Sequence, residues 1–355
     1  MKLVISLNLE FPVLRKMLKN SEEMSIIYQN GNLVFLVNHG EAYFLRTYEA
    51  FINEEVPHMV AHTLPSNILS KLPHNKNGID TFSITITDMG FELMLNEMPL
   101  QVVTKTFNTT FFNNLKTQLG EGKSLSTKWL PWAQQVLRIT GDTIITVHKG
   151  HISIRGRQGL YIYLGEDLDP SLSLAFSSWI LKRVDLKEVK SLLFMSGSVR
   201  LVLEDGSEAF TATMNPQTSF IEDFIFIKSK FRPQIQLTVS LSNFKDFIRS
   251  CRTEGLILDL EVKVLVANSD FGEKVRLPLN DQIKQEFRYK SEDSGERYKE
   301  TLALNEKVKK IKVVDTGILR ILSSLNEFTL YPALETHIIK YNTRCYYLPV
   351  ESEVK

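Results

Sequence analysis

Alternating apolar and polar residues dominate this chain, interrupted at intervals by short apolar stripes at helical spacing. Leu3, Ile5 and Leu7 alternate and predict a strand over residues 1–8. Residues 11–18 predict a short helix, with Pro12 in the first turn, where its missing N–H costs nothing. Strands follow at 25–28, 33–37 and 42–47, separated by turns at Asn30-Gly31 and His39-Gly40. The order then repeats, with a strand at 59–63 and a helix at 65–72. A hairpin of 81–87 and 91–96 and a closing strand at 100–107 complete the round.

Two further rounds carry the same alternation. The second opens with a helix at 130–137 and strands at 143–148, 151–155, 160–164 and 172–176, and continues with a helix at 185–193 and strands at 198–203 and 209–214. The third has a strand at 235–239, a helix at 241–248 and strands at 258–267 and 273–277. It ends in the stretch 314–349, where Asp315 and Thr316 are candidate caps before Ile318, Leu319, Leu322 and Leu325. Strands at 328–331, 337–341 and 345–348 close the chain.

Phe11, Leu130 and Leu241 lead the first helix of each round, and Leu72, Leu192 and Leu322 lie late in the second. Both series step by about 110 to 130 residues, one domain length each. The rounds share pattern rather than residue identity. The reading is an α+β chain of three repeated domains, 1–115, 116–232 and 233–355, each built of two strand–helix–strand units. The competing reading is an irregular α+β protein whose short helices happen to be evenly spaced. Two segments break the pattern. Residues 107–127 are polar and rich in Asn and Thr, which suits a domain boundary, and residues 281–300 carry dense charge of both signs, which suits an exposed loop or a lengthened strand pair.

At 355 residues the chain is long enough for two or three domains with sizeable cores. A net charge of +1 argues against a strongly basic nucleic-acid coat protein but not against a local basic surface. Two cysteines, Cys251 and Cys345, make no disulfide framework, and the expectation is a reducing, cytoplasmic setting. No apolar run approaches the roughly 20 residues that span a bilayer, so no membrane partner is expected. The opening residues lack a small-residue cleavage site, and no signal peptide is expected.

Enzyme signatures are weak. Residues 119–124, LGEGKS, approach a phosphate loop, but Thr117 stands where that pattern needs glycine. His148 and His151 flank a Lys-Gly turn, and no Cys or carboxylate joins them at ligand spacing. The acids of Glu166-Asp-Leu-Asp169 precede Pro170 in a predicted turn, while Asp259 and Glu261 alternate on a predicted strand. Trp129 and Trp132 read as packing residues. No nucleophile elbow or zinc-protease motif is present. The expectation is a non-catalytic protein with no cofactor and no metal.

The threefold pattern resembles the DNA sliding clamp of bacterial replicases over nearly the whole chain. Its best-matching pieces are residues 64–72 (LPSNILSKL), 184–193 (VDLKEVKSLL) and 314–349. The divergence of the sequence suits a bacteriophage or plasmid version, and the near-neutral charge departs from a usually acidic family. The resemblance implies three DNA-clamp domains with antiparallel sheets outside and helices inside. It also implies a homodimeric ring around double-stranded DNA, and short-peptide docking by a DNA polymerase and a clamp loader. The alternative reading is a clamp-like interaction protein, a phage inhibitor or transcription co-factor, that never encircles DNA.

Helix faces allow a separate check, since ring-lining helices need apolar residues toward the sheet and cations outward. The predicted helices offer Arg15, Lys16, Lys19, Lys71, Gln134, Arg138, Lys187, Lys190, Lys245, Arg249 and Arg320 as the inner, DNA-facing set. Any solvated helix face also carries Lys and Arg. By the resemblance, the peptide cleft falls at Gln158, Gly159, Leu160, Tyr161, Pro233, Leu237, Tyr347, Leu348, Pro349 and Val350. The family's Thr-Asp-Gly-His-Arg-Leu-like run is absent at 157–161. The apolar end at 347–350 reads equally as the finish of the last sheet.

Overall fold

A computed structural model describes residues 2–10, 21, 23–29, 32–40, 42–49, 60–65, 79–87, 90–95, 98–100, 105–106, 122–141, 143–195, 197–230, 236–240, 247, 256–259, 261–262, 264–268, 274–278, 283–286, 310–313, 316–325, 327–332 and 337–349. In chain order the first strands are β1 (Lys2–Glu10), β2 (Glu23–Gln29), β3 (Asn32–Asn38), β4 (Ala42–Glu49) and β5 (Val60–Pro65). Then come β6 (Ile79–Thr87), β7 (Gly90–Leu95), β8 (Met98–Leu100), β9 (Lys105–Thr106) and β10 (Lys123–Leu125). Helix α1 (Leu130–Thr140) precedes β11 (Ile144–His148), β12 (His151–Arg155), β13 (Gly159–Leu164) and β14 (Ser173–Ser177). Helix α2 (Trp179–Arg183) leads to β15 (Val189–Met195), β16 (Ser198–Leu203) and β17 (Glu208–Met214). After helix α3 (Ser219–Lys230) come β18 (Gln236–Ser240), β19 (Leu256–Asp259), β20 (Val264–Asn268), β21 (Lys274–Pro278), β22 (Ile283–Glu286) and β23 (Lys310–Val313). Helix α4 (Thr316–Leu322), β24 (Glu327–Pro332), β25 (His337–Asn342) and β26 (Cys345–Pro349) finish the chain.

The chain divides into two compact units, Met1–Leu130 with Phe176–Met214, and Pro131–Ala175 with Asn215–Lys355. The expected middle domain, 116–232, contributes to both. In the first unit one sheet runs β1-β6-β7-β8. The other runs β10-β15-β16-β17-β4-β3-β2-β5-β9, all antiparallel. The β4–β17 ladder pairs Phe44 with Ala209 and Tyr43 with Phe210, so this sheet crosses the expected boundary between first and second domains. Its core gathers Ile27, Val34, Leu36, Leu45, Ala61 and Phe210. Burying each large side chain of this kind contributes about 1.5–3 kcal/mol. Arg46 pairs with Asp205 from the β16–β17 turn.

In the second unit a short sheet runs β21-β20-β19-β23. The longer one runs β11-β12-β13-β26-β25-β24-β18-β22, again antiparallel. The β13–β26 ladder crosses the expected boundary between second and third domains. Helix α1 buries Trp132, Ala133, Val136 and Leu137, and α4 buries Ile318, Leu319, Ile321 and Leu322, as the apolar spacing predicts. Trp129 and Trp132 are both buried packing residues.

The structure corrects several sequence expectations. Residues 185–193 are not a helix: Asp185 caps only a 3₁₀ turn at Leu186–Glu188, and the chain enters β15 at Val189. β15 has a partner on each side, a short ladder to β10 and a longer one to β16, and this pairing outweighs a marginal helical propensity. The helix of that round lies upstream, at α2, where Trp179 packs on His39 and Phe44. The single strand expected at 258–267 is a hairpin of β19 and β20. At its tip Asp259, the last residue of β19, accepts the N–H groups of Glu261 and Val262 at Oδ1, so Glu261 sits in the turn and not along a strand. Of the closing strand expected at 100–107, Leu100 ends β8 and Lys105–Thr106 form β9, while 101–104 and 107 lie outside the described residues. Pro65 ends β5 rather than opening a helix. The rest of 65–72 and the helix expected at 11–18 lie outside the described residues, and of 241–248 only Phe247 is described, helical and buried.

Candidate functional site

The cleft residues named from the sequence come from two distant segments, and β13–β26 brings them together. In this antiparallel ladder Gly159 faces Pro349, Leu160 faces Leu348 and Tyr161 faces Tyr347. Residues 155–159 first turn back on themselves, with the Gly156 N–H donating to the Gly159 carbonyl at 2.8 Å. Alternation along the two strands then sorts the side chains onto opposite faces.

One face carries Tyr161, Tyr163 and Tyr347. Tyr161 and Tyr347 meet edge to face with ring centres 5.2 Å apart. The Tyr347 hydroxyl donates to the Gln158 carbonyl at 3.2 Å. Trp132 of α1 lies 5.5 Å from the Tyr163 ring, and its indole N–H donates to the Tyr341 hydroxyl at 2.7 Å. Burial raises the Tyr341 hydroxyl far above the ordinary tyrosine value and pushes the neighbouring Cys345 thiol up to about 12. This face is therefore closed and holds no reactive thiolate.

The other face carries Leu160, Ile162, Tyr346 and Leu348, joined by Ile338 of β25. Phe224 of α3 sits among them, fully buried, 5.6 Å from the Tyr346 ring and 5.9 Å from His151. Charge holds the edges of α3. The β11–β12 turn places Lys149 (φ 48°) and Gly150 (φ 73°) in the left-handed region, the conformation of a tight hairpin. From that turn the Lys149 ammonium reaches Glu222 at 3.1 Å, and His148 Nε2 lies 3.4 Å from the same oxygen. Lys149 and His148 together hold the Glu222 carboxyl below its usual range. The Arg155 guanidinium lies 4.2 Å over the Phe220 ring, and the Lys228 ammonium 4.5 Å from the Tyr346 ring. Burial lowers the Lys228 ammonium, as does the charge of Lys340.

Helix α3 has no place in the sequence expectations, although its signals were legible. The Thr218 carbonyl accepts the first helical N–H groups, Glu222 lies in the first turn, and Phe220, Phe224, Ile225 and Ile227 pack toward one cluster, with Ile221 also buried.

Of the remaining cleft residues, Leu237 pairs with Leu330 and Gln285 through β18, while Pro233 and Val350 lie outside the described residues. Among the expected DNA-facing residues, Gln134 and Arg138 lie on α1, half-buried and exposed, and Arg320 is exposed on α4. Lys187 and Lys190 are exposed on the 3₁₀ turn and β15, not on a helix. Arg15, Lys16, Lys19, Lys71, Lys245 and Arg249 lie outside the described residues. No group of three or more His, Cys, Asp or Glu side chains fit to hold a metal occurs among the described residues. Among them, too, no helix is long and apolar enough to cross a membrane.

At the level of sequence, no family profile and no curated protein matches this chain. Solved structures do match. A provisionally assigned DNA polymerase III beta subunit from Eubacterium rectale is 12% identical, with 99% of each chain covered and a TM-score of 0.64. The griselimycin-bound sliding clamp of Bartonella birtlesii is 13% identical, covering 99% of this chain and 100% of its own, at 0.62. A DNA polymerase sliding clamp from Pseudomonas aeruginosa is 11% identical, covering 98% and 99%, also at 0.62. Antiparallel sheets with few helices, matched from end to end, give this chain the fold of the DNA polymerase III beta sliding clamp.

Proposed function

We propose that this chain is a DNA sliding clamp, a non-catalytic processivity factor that encircles duplex DNA as a ring of two copies. The observation that carries the reading is the likeness to sliding clamps over 98–99% of the chain, with no large part of the fold left over for another task. In this reading the domains are 1–115, 116–232 and 233–355, and the β4–β17 and β13–β26 ladders are the seams between successive domains. Exposed cations, including Arg138, Lys187, Lys190 and Arg320, supply weak phosphate contacts. Encirclement makes that weak attraction persistent, because leaving requires opening an interface. A DNA polymerase and a clamp loader dock through short peptides on the β13–β26 region. A cytoplasmic, phage-encoded replication protein fits the same reading.

The test has two parts. Light scattering after size exclusion at micromolar concentration is expected to give twice the chain mass of 40.8 kDa. Once loaded, the protein is expected to stay on closed circular DNA and to leave when the circle is cut. A strictly monomeric chain defeats the ring and favours a clamp-fold interaction protein that never encircles DNA.

A further inference from the structure

Helix α3 occupies the apolar face of the sheet where β13 meets β26. Among the described residues it gives that sheet no ladder hydrogen bonds, and side chains seat it: Phe224 in the centre, Phe220 under Arg155, and Glu222 against Lys149 and His148. Over residues 219–228, Ile221 and Phe224 are fully buried, while Phe226 on the outer side is 57% exposed. The helix is reached through residues 215–218, which carry no secondary structure. The helix thus completes this part of the core as a short amphipathic segment on a tether, the way a bound ligand would.

We infer that α3 is a detachable cover of this face, and that a partner segment of the same chemistry displaces it. The seated helix specifies that chemistry: an amphipathic helical segment with two aromatic side chains four residues apart and a carboxylate between them. The aromatics enter the pocket of Leu160, Ile162, Tyr346 and Leu348, and the carboxylate meets Lys149. A tethered competitor acts at an effective concentration near millimolar, so an intact cover weakens any incoming segment and sets a threshold for docking. The inference deepens the partner-docking reading above, but its test is independent of DNA and of ring closure.

The probe is a fluorescent peptide with the sequence of residues 216–230, titrated against the full-length chain. Against wild type its binding is expected to be weak. Against Phe224→Ala, where the cover is loosened, it is expected to tighten about tenfold or more. Glu222→Ala leaves the buried residues intact and keeps the test readable if Phe224→Ala fails to fold. There the peptide is expected to bind severalfold tighter, with faster hydrogen exchange across 219–230. A control peptide with both phenylalanines changed to alanine is expected not to bind. Equal affinity for wild type and the folded variants, or no binding to any of them, overturns the inference.

Discussion

Gly159 and Tyr347 meet so closely that a Cβ added to Gly159 would lie 2.0 Å from the Tyr347 ring. The absence of a side chain at Gly159 is thus what leaves room for the Tyr347 ring and lets its hydroxyl reach the Gln158 carbonyl. Gly159→Ala is expected to cost about 1–3 kcal/mol or more through overpacking. Combining it with Tyr347→Ala is expected to cost less than the sum of the two, because the clash and the cavity share one space. Urea unfolding of the two single variants and the double variant measures that coupling.

Tyr341→Phe tests the same face of that sheet, one strand further on. It leaves the buried Trp132 indole N–H without its acceptor, an expected loss of about 1–3 kcal/mol. Tyr347→Phe removes a longer bond whose acceptor is a backbone carbonyl, with an expected loss of about 1 kcal/mol or less. Denaturation midpoints rank the two.

His337 makes stability depend on pH. It opens β25 at 7% exposure, its Nε2 has no hydrogen-bond partner, and burial lowers its imidazole from 6.5 to about 4. Above pH 6.5 both folded and unfolded chains keep it neutral, and its contribution is fully present. As pH falls toward 4 the unfolded chain takes up a proton that the folded chain refuses, and stability is lost. The loss is on the order of 3 kcal/mol across that window. Unfolding at pH 7, 6 and 5 is expected to show the slope, and His337→Leu to flatten it.

On the proposed function, replacing Arg138, Lys187, Lys190 and Arg320 together with alanine is expected to shorten retention on DNA and reduce its salt dependence. Stability is expected to stay within about 0.5 kcal/mol per site, since all four are exposed. Extending the set to Arg15, Lys245 and Arg249 is expected to deepen the effect. Unchanged retention in the multiple variant removes these residues from the DNA-facing role.

Local pattern was enough to read most of the described strands and two of the helices expected within the described residues. Residues 130–137 and 316–322 bury one stripe each, and a period of 3.6 is written directly in Trp132, Val136, Leu137 and in Ile318, Leu319, Leu322. It failed at 185–193, where Val189, Leu192 and Leu193 suit a helix as well as a strand. Pairing with β10 and β16, remote in sequence, chose the strand. At 258–267 one Asx turn converted an apparent strand into a hairpin. The cleft shows the same division. Leu160, Tyr161, Tyr347 and Leu348 were marked by a family resemblance, but ladder register alone put Leu160 with Leu348 and Tyr161 with Tyr347 on opposite faces. A one-residue slip would exchange those faces, and nothing local to either strand sets the register between segments so far apart. The seating of α3 on that face is a tertiary choice too, because Leu160, Ile162, Tyr346 and Leu348 come to one face around Phe224 only through the β13–β26 pairing.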